Sequence, residues 1–518
     1  MRRRRTLLYI IAIGATLLFN SCSNSLPGQY VENSKEAPIY PDYSHLVIPA
    51  NIAPLNFRLD EAADKVVARL TAGEEELIVT SGKDLELSFP AKQWKRLLEK
   101  ANGREITYDL YAEKGGKWEH YKPFTNNVST DSIDPYLTYR LIEPSYMGSG
   151  EMGIYQFNLE EGEEEAIFTN HHDHIKGNNQ QQKCMNCHTA QRNHPENKMF
   201  YYRGPNGGLL LTYNGEIRKI NTRCGDMTNP TIYPAWHPSK PLIAFSSNKV
   251  LQRFCSNDNC KIDVFDDNSD LVLYDIEKNE ISPIRKTPEQ QESNPCWSSN
   301  GEYLYFNSTD SCYQKSMNPR NLLYNIYRVR YKGATEWGEN EMVYEAAKER
   351  RSATYPKASP DGKFLLITVS SFGPSTQTNK SADLYMIDLN GNKVRSLDEV
   401  NSATESDSYH DWTSNSRWIV FCSRREDGNY AHPYFSHISD DGKASKPFVL
   451  PRNDSRYHEK LIKNYNVTEF SKAPVTTSVH NIQATLERAE IQATYNGPTV
   501  RGVTDGQTGA TNPTKRTE

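Results

Sequence analysis

What this chain lacks narrows its function before anything it contains does. It has no second C-x-x-C beside Cys184–Cys187, and a structural zinc site takes four ligands, usually from two such close pairs. It has no D-x-D-x-D-G spacing, so the acidic run Glu160-Glu161-Gly162-Glu163-Glu164-Glu165 reads as a solvated hairpin turn and not as a calcium loop. It has no surplus of basic charge. The formal net charge is -5, which argues against nucleic acid, whose binding needs a basic footprint. It has no apolar run of the roughly 18 residues needed to cross a bilayer. The longest, Leu7 to Phe19, is shorter. No recognisable catalytic motif stands outside the neighbourhood of Cys184.

The N-terminus is an export signal by its layout. Four arginines in Met1 to Thr6 precede the apolar run, and Asn20-Ser21-Cys22 follows it. A basic head, a short apolar core and a small residue before the cut make a secretory signal. Ser21-Cys22 resembles a bacterial lipobox. That resemblance implies that Cys22 becomes the lipidated first residue of the mature chain and its link to a membrane. The stretch after it, Ser23-Asn24-Ser25-Leu26-Pro27-Gly28-Gln29, lacks the acidic run often seen in surface-exposed lipoproteins of this type. The expected location is the cell envelope, with the anchor facing the periplasm.

Downstream lies Cys184-Met185-Asn186-Cys187-His188. C-x-x-C-H is the attachment pattern of a c-type haem. Two thiols three positions apart can bond the two vinyl groups of one porphyrin, and the adjacent imidazole is the proximal iron ligand. The competing readings are a redox cysteine pair, a disulfide or half a zinc site. Export agrees with haem, because bacteria attach c-type haem outside the cytoplasm. One covalent haem c on Cys184 and Cys187, with His188 proximal, is the expectation. Candidate distal ligands are His171, His172 and His174, with His194, Met199 or an open site behind them. An oxidising compartment also permits disulfides; Cys255 and Cys260, bracketing a loop-like tetrapeptide, are the local candidates.

The rest of the chain is β-rich in pattern. With 31 tyrosines and 17 phenylalanines among many short alternating segments, strands are favoured. Residues 23–46 are polar and contain proline, and read as a tether. Residues 47–130 read as a small sandwich-like β domain with one helix, Ala91 to Lys100, ended by Gly103. Four segments then align without gaps: Trp236 to Phe245, Trp297 to Phe306, Ala358 to Ile367 and Trp412 to Phe421. Each is a polar turn feeding an apolar strand, and each is followed by a second hairpin. Two more such hairpins lie upstream, at Ile154 to Leu159 and Leu209 to Gly215. Repeats supplying about four short strands each are the signature of propeller blades. Six blades over residues 136–450 is the count, with seven as the alternative. The C-x-x-C-H run is expected in an inter-blade insertion, 170–198. Residues 473–518 are rich in Thr, Asn and Gly and are expected to be disordered.

The turn-strand motif, clearest at Pro360-Asp361-Gly362-Lys363, resembles the WD40-like (PD40) repeat of the TolB family. With the export signal and C-M-N-C-H, the chain looks like a family of Bacteroidetes haem-bearing propeller lipoproteins. Tyr233 to Pro238 and Tyr409 to Trp412 are further matching segments. The resemblance implies an all-β fold: a TolB-like propeller behind a small β domain. The first functional reading is a periplasmic lipid-anchored mono-haem c-type cytochrome, an electron carrier or a redox sensing module docked by its propeller to an envelope protein partner. The alternatives are a haem-dependent redox enzyme, or a TolB-like envelope scaffold without redox chemistry. His237, His410, Asp411 and Arg203 are the blade residues expected nearest the haem.

The anchor is directly testable. Palmitate labelling of the expressed chain should be lost in Cys22→Ser; equal labelling of variant and wild type would place the lipid elsewhere.

Overall fold

The computed structural model describes residues 25–143, 151–173, 183–204, 206–225, 227, 229–254, 262–285, 287, 289–310, 318–333 and 335–497. Cys22, His174, Cys255, Cys260 and Cys312 lie outside them.

Six sheets of four consecutive or closing strands form the propeller. Blade 2 is Cys184–Gln191, His194–Arg203, Gly208–Tyr213 and Glu216–Asn221. Blade 3 is Thr231–Trp236, Leu242–Phe254, Ile262–Asp275 and Glu280–Arg285. Blade 4 is Gln290–Trp297, Tyr303–Asp310, Asn325–Gly333 and Glu336–Tyr344. Blade 5 is Ser352–Ala358, Phe364–Ser370, Asp383–Asp388 and Lys393–Ser396. Blade 6 is Asp407–Trp412, Trp418–Ser423, His432–His437 and Phe448–Val449. Blade 1 takes three strands, Tyr136–Ile142, Gly153–Asn158 and Glu163–Thr169, from the start of the region. Its fourth, Asn464–Ser471, comes from the end and pairs antiparallel with Tyr136–Ile142. That strand completes a ring of six inner strands, each beside the next. The six-blade count is what the sheets show.

The aligned repeats explain themselves here. Trp236, Trp297 and Trp412 each end an inner strand. Their indole N–H groups donate to the backbone of the preceding blade: to Thr189 O at 3.3 Å, Ala235 O at 3.1 Å and Lys357 O at 3.1 Å. A buried indole needs such an acceptor, and here the acceptor staples blade to blade. At the corresponding position of blade 5, Ala358 donates its backbone N–H to Cys296 Sγ. The turn that follows is also repeated. Ser298, Ser359 and Thr413 hydroxyls accept from the N–H five residues on. Gly362 sits at φ +75°, where a Cβ would come within 2.7 Å of Ser299 Oγ.

The N-terminal domain is a seven-stranded sheet and a three-stranded sheet. The helix, Ala91–Ala101, covers them with Trp94, Leu97 and Leu98 buried, the face its spacing predicts. The domain begins earlier than the polar composition suggested. Val31–Glu32 and Ile39–Tyr40 are strands, and Tyr43 and Leu46 are fully buried. Two edge pairings and a few apolar side chains suffice to order a segment that reads as a tether. Its core runs without a break into blades 1, 5 and 6. Tyr43 OH donates to Val449 O, and Trp418 Nε1 to Asp131 O.

The C-terminal segment also departs from expectation. Residues 473–497 form a strap. The helix Val479–Glu487 buries Ile482 and Leu486 against blades 1 and 2. Ile491–Gln492 and Thr494–Tyr495 then add as parallel outer strands to blades 2 and 3. Lys219 Nζ donates to Leu486 O at 2.7 Å. Sparse apolar content orders because the open sheet edges supply hydrogen bonds the segment cannot make alone. Leu486→Ala should cost about 2–5 kcal/mol, read by chemical denaturation of the full chain. An unchanged midpoint would mean the strap does not hold the blades.

Candidate functional site in the central channel

The six inner strands share one backbone feature. Each carries a single left-handed non-glycine residue: Cys187, Tyr233, Asn294, Tyr355, Tyr409 and Val467, with φ between 50° and 55°. At each, the pairing to the second strand slips by a bulge. A bulge re-aims the side chain it carries. The rings of Tyr233 and Tyr355 meet edge-to-face at 6.1 Å although their blades are not neighbours, and Tyr355 meets Tyr409 at 5.2 Å. The bulge ring therefore crosses the channel.

This places the C-x-x-C-H run. Cys184–Gln191 is the innermost strand of blade 2, paired with His194–Arg203 on both sides of the bulge at Cys187-His188, and not an insertion between blades. Cys187-His188 occupies the register of Tyr233-Pro234, Asn294-Pro295, Tyr355-Pro356 and Tyr409-His410. His188 is buried. Its Nε2 lies 2.9 Å from Val467 O, and its Nδ1 lies 3.5 Å from Glu469 Oε2. His410 is held in the same manner, Nε2 at 3.1 Å from Leu366 O and Nδ1 at 3.3 Å from Thr368 Oγ1. Burial, then Lys357, lower its pKa to about 3.

Two residues beyond the bulge, blades 5, 6 and 1 contribute Lys357, Asp411 and Glu469. Lys357 Nζ lies 3.8 Å from Asp411 Oδ1 and 3.7 Å from Glu469 Oε1. With His188 they form a polar chain across four blades. Burial pushes the Asp411 carboxyl up to about 7 against the pull of Lys357. Burial works on Glu469 too, but His188 and Lys357 overcome it and hold it below its ordinary range.

On the other side of the bulge ring, the channel mouth is roofed. Residues 371–382, between the second and third strands of blade 5, bury Thr376, Gln377, Thr378 and Asn379. Gln377 Nε2 donates to Tyr465 O at 2.8 Å, and Thr378 Oγ1 to Ile262 O at 2.8 Å, so one loop ties blade 5 to blades 1 and 3. Between roof and bulge ring stand Cys184 and Arg203, directly opposite in the blade 2 ladder, and Arg140 of blade 1. Arg140 Nη1 lies 4.0 Å from Cys184 Sγ and donates to Met185 O at 3.1 Å; Nη2 donates to Asn466 Oδ1. Burial raises the pKa of the Cys187 thiol in spite of the nearby Arg203.

A c-type haem needs two sulfurs on one side of the porphyrin and a free imidazole nitrogen on its axis. The sulfurs meet the first condition in part: Cys184 and Cys187 are free thiols and both adjoin Arg203. His188 does not meet the second. Both ring nitrogens are engaged with blade 1, so this strand does not fit a His188-ligated haem. Among the distal candidates, His171 is exposed in the turn after blade 1. His172 packs on Phe168 at 5.7 Å, and its Nδ1 accepts from Thr169 N–H. His194 is exposed beside Lys472, and Met199 is buried in the core between blades 2 and 3. His237 is a turn-former whose Nδ1 accepts from the N–H groups of Ser239 and Lys240. Burial lowers its pKa to about 4. Of the four blade residues singled out, Arg203 alone adjoins the thiols. No group of three or more metal-ligating side chains occurs among the described residues.

Arg140, Lys357, Glu469 and Tyr355 were not legible as site residues. The signal that could have found Tyr355 and Lys357 is the recurrent dipeptide Tyr-Pro, Asn-Pro or Tyr-His before each repeat, into whose register Cys187-His188 falls; Arg140 and Glu469 follow no such dipeptide.

No family model matches the sequence, and no curated protein matches it. Solved structures do. TolB from Acinetobacter baumannii aligns at 13% identity and TM-score 0.41, over 74% of this chain and 85% of that one. A TolB from Agrobacterium tumefaciens aligns at 12% and 0.36, over 62% and 93%. An oligogalacturonate lyase from Vibrio parahaemolyticus aligns at 10% and 0.31, over 56% and 85%. The TolB-like propeller fold expected from the repeats stands on the chain's own six sheets.

The polar chain sets a pH dependence. The folded pKa of Asp411, about 7, lies above the ~3.9 of an unfolded aspartate. A raised group holds its proton more tightly when folded. Its contribution is full below about pH 4 and is lost as pH rises through about 7. Glu469, lowered, has the opposite sign: its contribution holds above its unfolded pKa and fades as pH falls through its folded one. Burial also raises Asp266 and Glu292 to about 7. These carboxyls pull the denaturation midpoint down between about pH 5 and pH 8, while the buried histidines His237, His410 and His432, lowered by burial to about 4, 3 and 4, pull it up over the lower part of that range. Asp411→Asn, whose amide oxygen can still accept from Phe470 N–H, removes one downward contribution, so its midpoint should rise relative to wild type from about pH 5 to pH 8. Identical slopes in both proteins would refute the assignment.

Proposed function

We propose that this is an exported, lipid-anchored propeller of the cell envelope that works as a TolB-like binding scaffold, without redox chemistry. The observation that carries the reading is the commitment of His188. Its imidazole belongs to the closure of the propeller ring, held between Val467 and Glu469. The export signal and Cys22 support the envelope location. Two opposed channel mouths, a fused β domain and inserted loops are a surface for docking a protein partner, and insertions in propellers carry function.

A second reading has one specific observation in its favour. Cys184 and Cys187 are free, face the roofed end of the channel and sit beside Arg203. A mono-haem c-type cytochrome would use those sulfurs. It would also need His188 to leave Val467 and Glu469, or another residue to serve as axial ligand.

A pyridine haemochrome spectrum separates the two. On protein exported from cells with a working haem-attachment pathway, the scaffold reading expects no covalent haem band. A haem band that survives denaturation and disappears in Cys184→Ala and Cys187→Ala overturns the scaffold reading and installs the cytochrome.

A further inference from the structure

Six large apolar side chains are exposed among the described residues: Tyr30, Val31, Val250, Met342, Ile462 and Ile491. The last four stand singly over the propeller and its strap, which is ordinary for a protein surface. Tyr30 and Val31 are adjacent, 45% and 66% exposed, and lie at the outer edge of the N-terminal domain. Val31–Glu32 is the terminal strand of the seven-stranded sheet, paired on one side only, in parallel, with Lys117–His120.

This edge is held in place from within the domain. The Tyr30 ring meets Tyr111 and His120 edge-on, each at 5.2 Å, and those two rings stack on one another at 4.4 Å. Asn33 N–H donates to His120 O at 2.7 Å, one residue past the strand. Tyr30 and Val31 are thus fixed apolar surface on an ordered sheet.

Their distance from the anchor decides what can cover them. Cys22 lies nine residues before Val31. A chain spans at most about 3.3–3.6 Å per residue, so a lipid on Cys22 holds the bilayer surface within about 30 Å of this edge. None of the other four side chains is joined to Cys22 by so short a stretch of chain. A half-exposed tyrosine suits the headgroup layer, where aromatic rings with a polar tip are enriched. The open strand edge limits the depth, because unpaired backbone N–H and C=O groups are excluded from hydrocarbon and need water or headgroups. Lys35, Lys117 and Glu32 make a rim of mixed charge, so apolar contact and not charge selects the surface.

We propose that the Tyr30–Val31 edge rests on the headgroup layer of the membrane that carries the Cys22 lipid. The N-terminal domain shares its core with blades 1, 5 and 6, so this seat fixes the orientation of the propeller to the bilayer. It rests on the reading of Cys22 as lipidated.

The test is amide hydrogen exchange read by mass spectrometry, on the full palmitate-bearing chain in phosphatidylcholine vesicles and on Cys22→Ser in solution. On vesicles, exchange in segments 25–36 and 115–121 should slow at least about threefold, while 336–344, which holds exposed Met342, exchanges alike in both. Val31→Glu, at an exposed position, keeps the lipid and should return segment 25–36 to its solution rate. Should that variant not fold, Tyr30→Ser removes the ring alone and should lose part of the protection. Equal rates on vesicles and in solution, or a variant protected as wild type is, overturn the proposal. Protection in Cys22→Ser without vesicles that grows with protein concentration means that the open edge pairs with a second copy, and overturns the lipid as its occupant. Palmitate labelling keeps the two readings apart. A chain without palmitate at Cys22 sinks the anchor and this seat with it, whereas a palmitate-bearing chain that shows no protection sinks the seat alone.

Discussion

Ring closure is the constraint on which everything else depends. The strand Asn464–Ser471 must lie between Tyr136–Ile142 and the inner strands of blades 2 and 6, more than 300 residues from where its blade begins. Backbone pairing alone would accept it in more than one register. Side chains specify one. Glu469 finds Lys357 and His188, Asn466 finds Arg140 and Gln377, and Phe470 N–H finds Asp411. In a medium of low dielectric one lysine cannot keep two carboxylates fully ionised. Glu469, with His188 as a second partner, stays charged while Asp411 gives way. The closing strand is thereby the better-paired member of the cluster.

The second constraint is the bulge. A left-handed residue other than glycine is uncommon and carries strain of about 1–3 kcal/mol unless its surroundings fix it. Here it recurs once per blade at one register, borne by cysteine, tyrosine, asparagine or valine. Its return is that one side chain per blade is aimed across the channel and the residue after it is turned into the wall. Cys187 and His188 are the blade 2 instance. The same bulge that brings Cys187 round beside Cys184 and Arg203 carries His188 away from them.

The rest of the molecule stiffens this ring from outside. The N-terminal domain shares its apolar core with blades 1, 5 and 6. The strap crosses blades 1, 2 and 3 on the other flank. The roof loop joins blade 5 to blades 1 and 3 over the channel mouth. A channel with walls from six blades keeps its shape only because the blades cannot slide past one another.

Much of this was determined by the sequence alone. Period-two segments between polar turns are enough to make blades, and the tryptophans of Trp236, Trp297 and Trp412 mark where each inner strand ends. The helical spacing of Trp94, Leu97 and Leu98 places that helix on its sheet. These are local properties, and local patterns carry them. What tertiary structure decided were the partnerships. C-x-x-C-H has one meaning if its histidine is free and another if that ring is spoken for, and Val467 and Glu469, which engage it, lie some 280 residues away in the chain. The order of residues 473–497 depends on sheet edges that composition does not record. The meeting of Lys357 with Asp411 and Glu469 joins three blades, because a partner is a property of space and not of spacing.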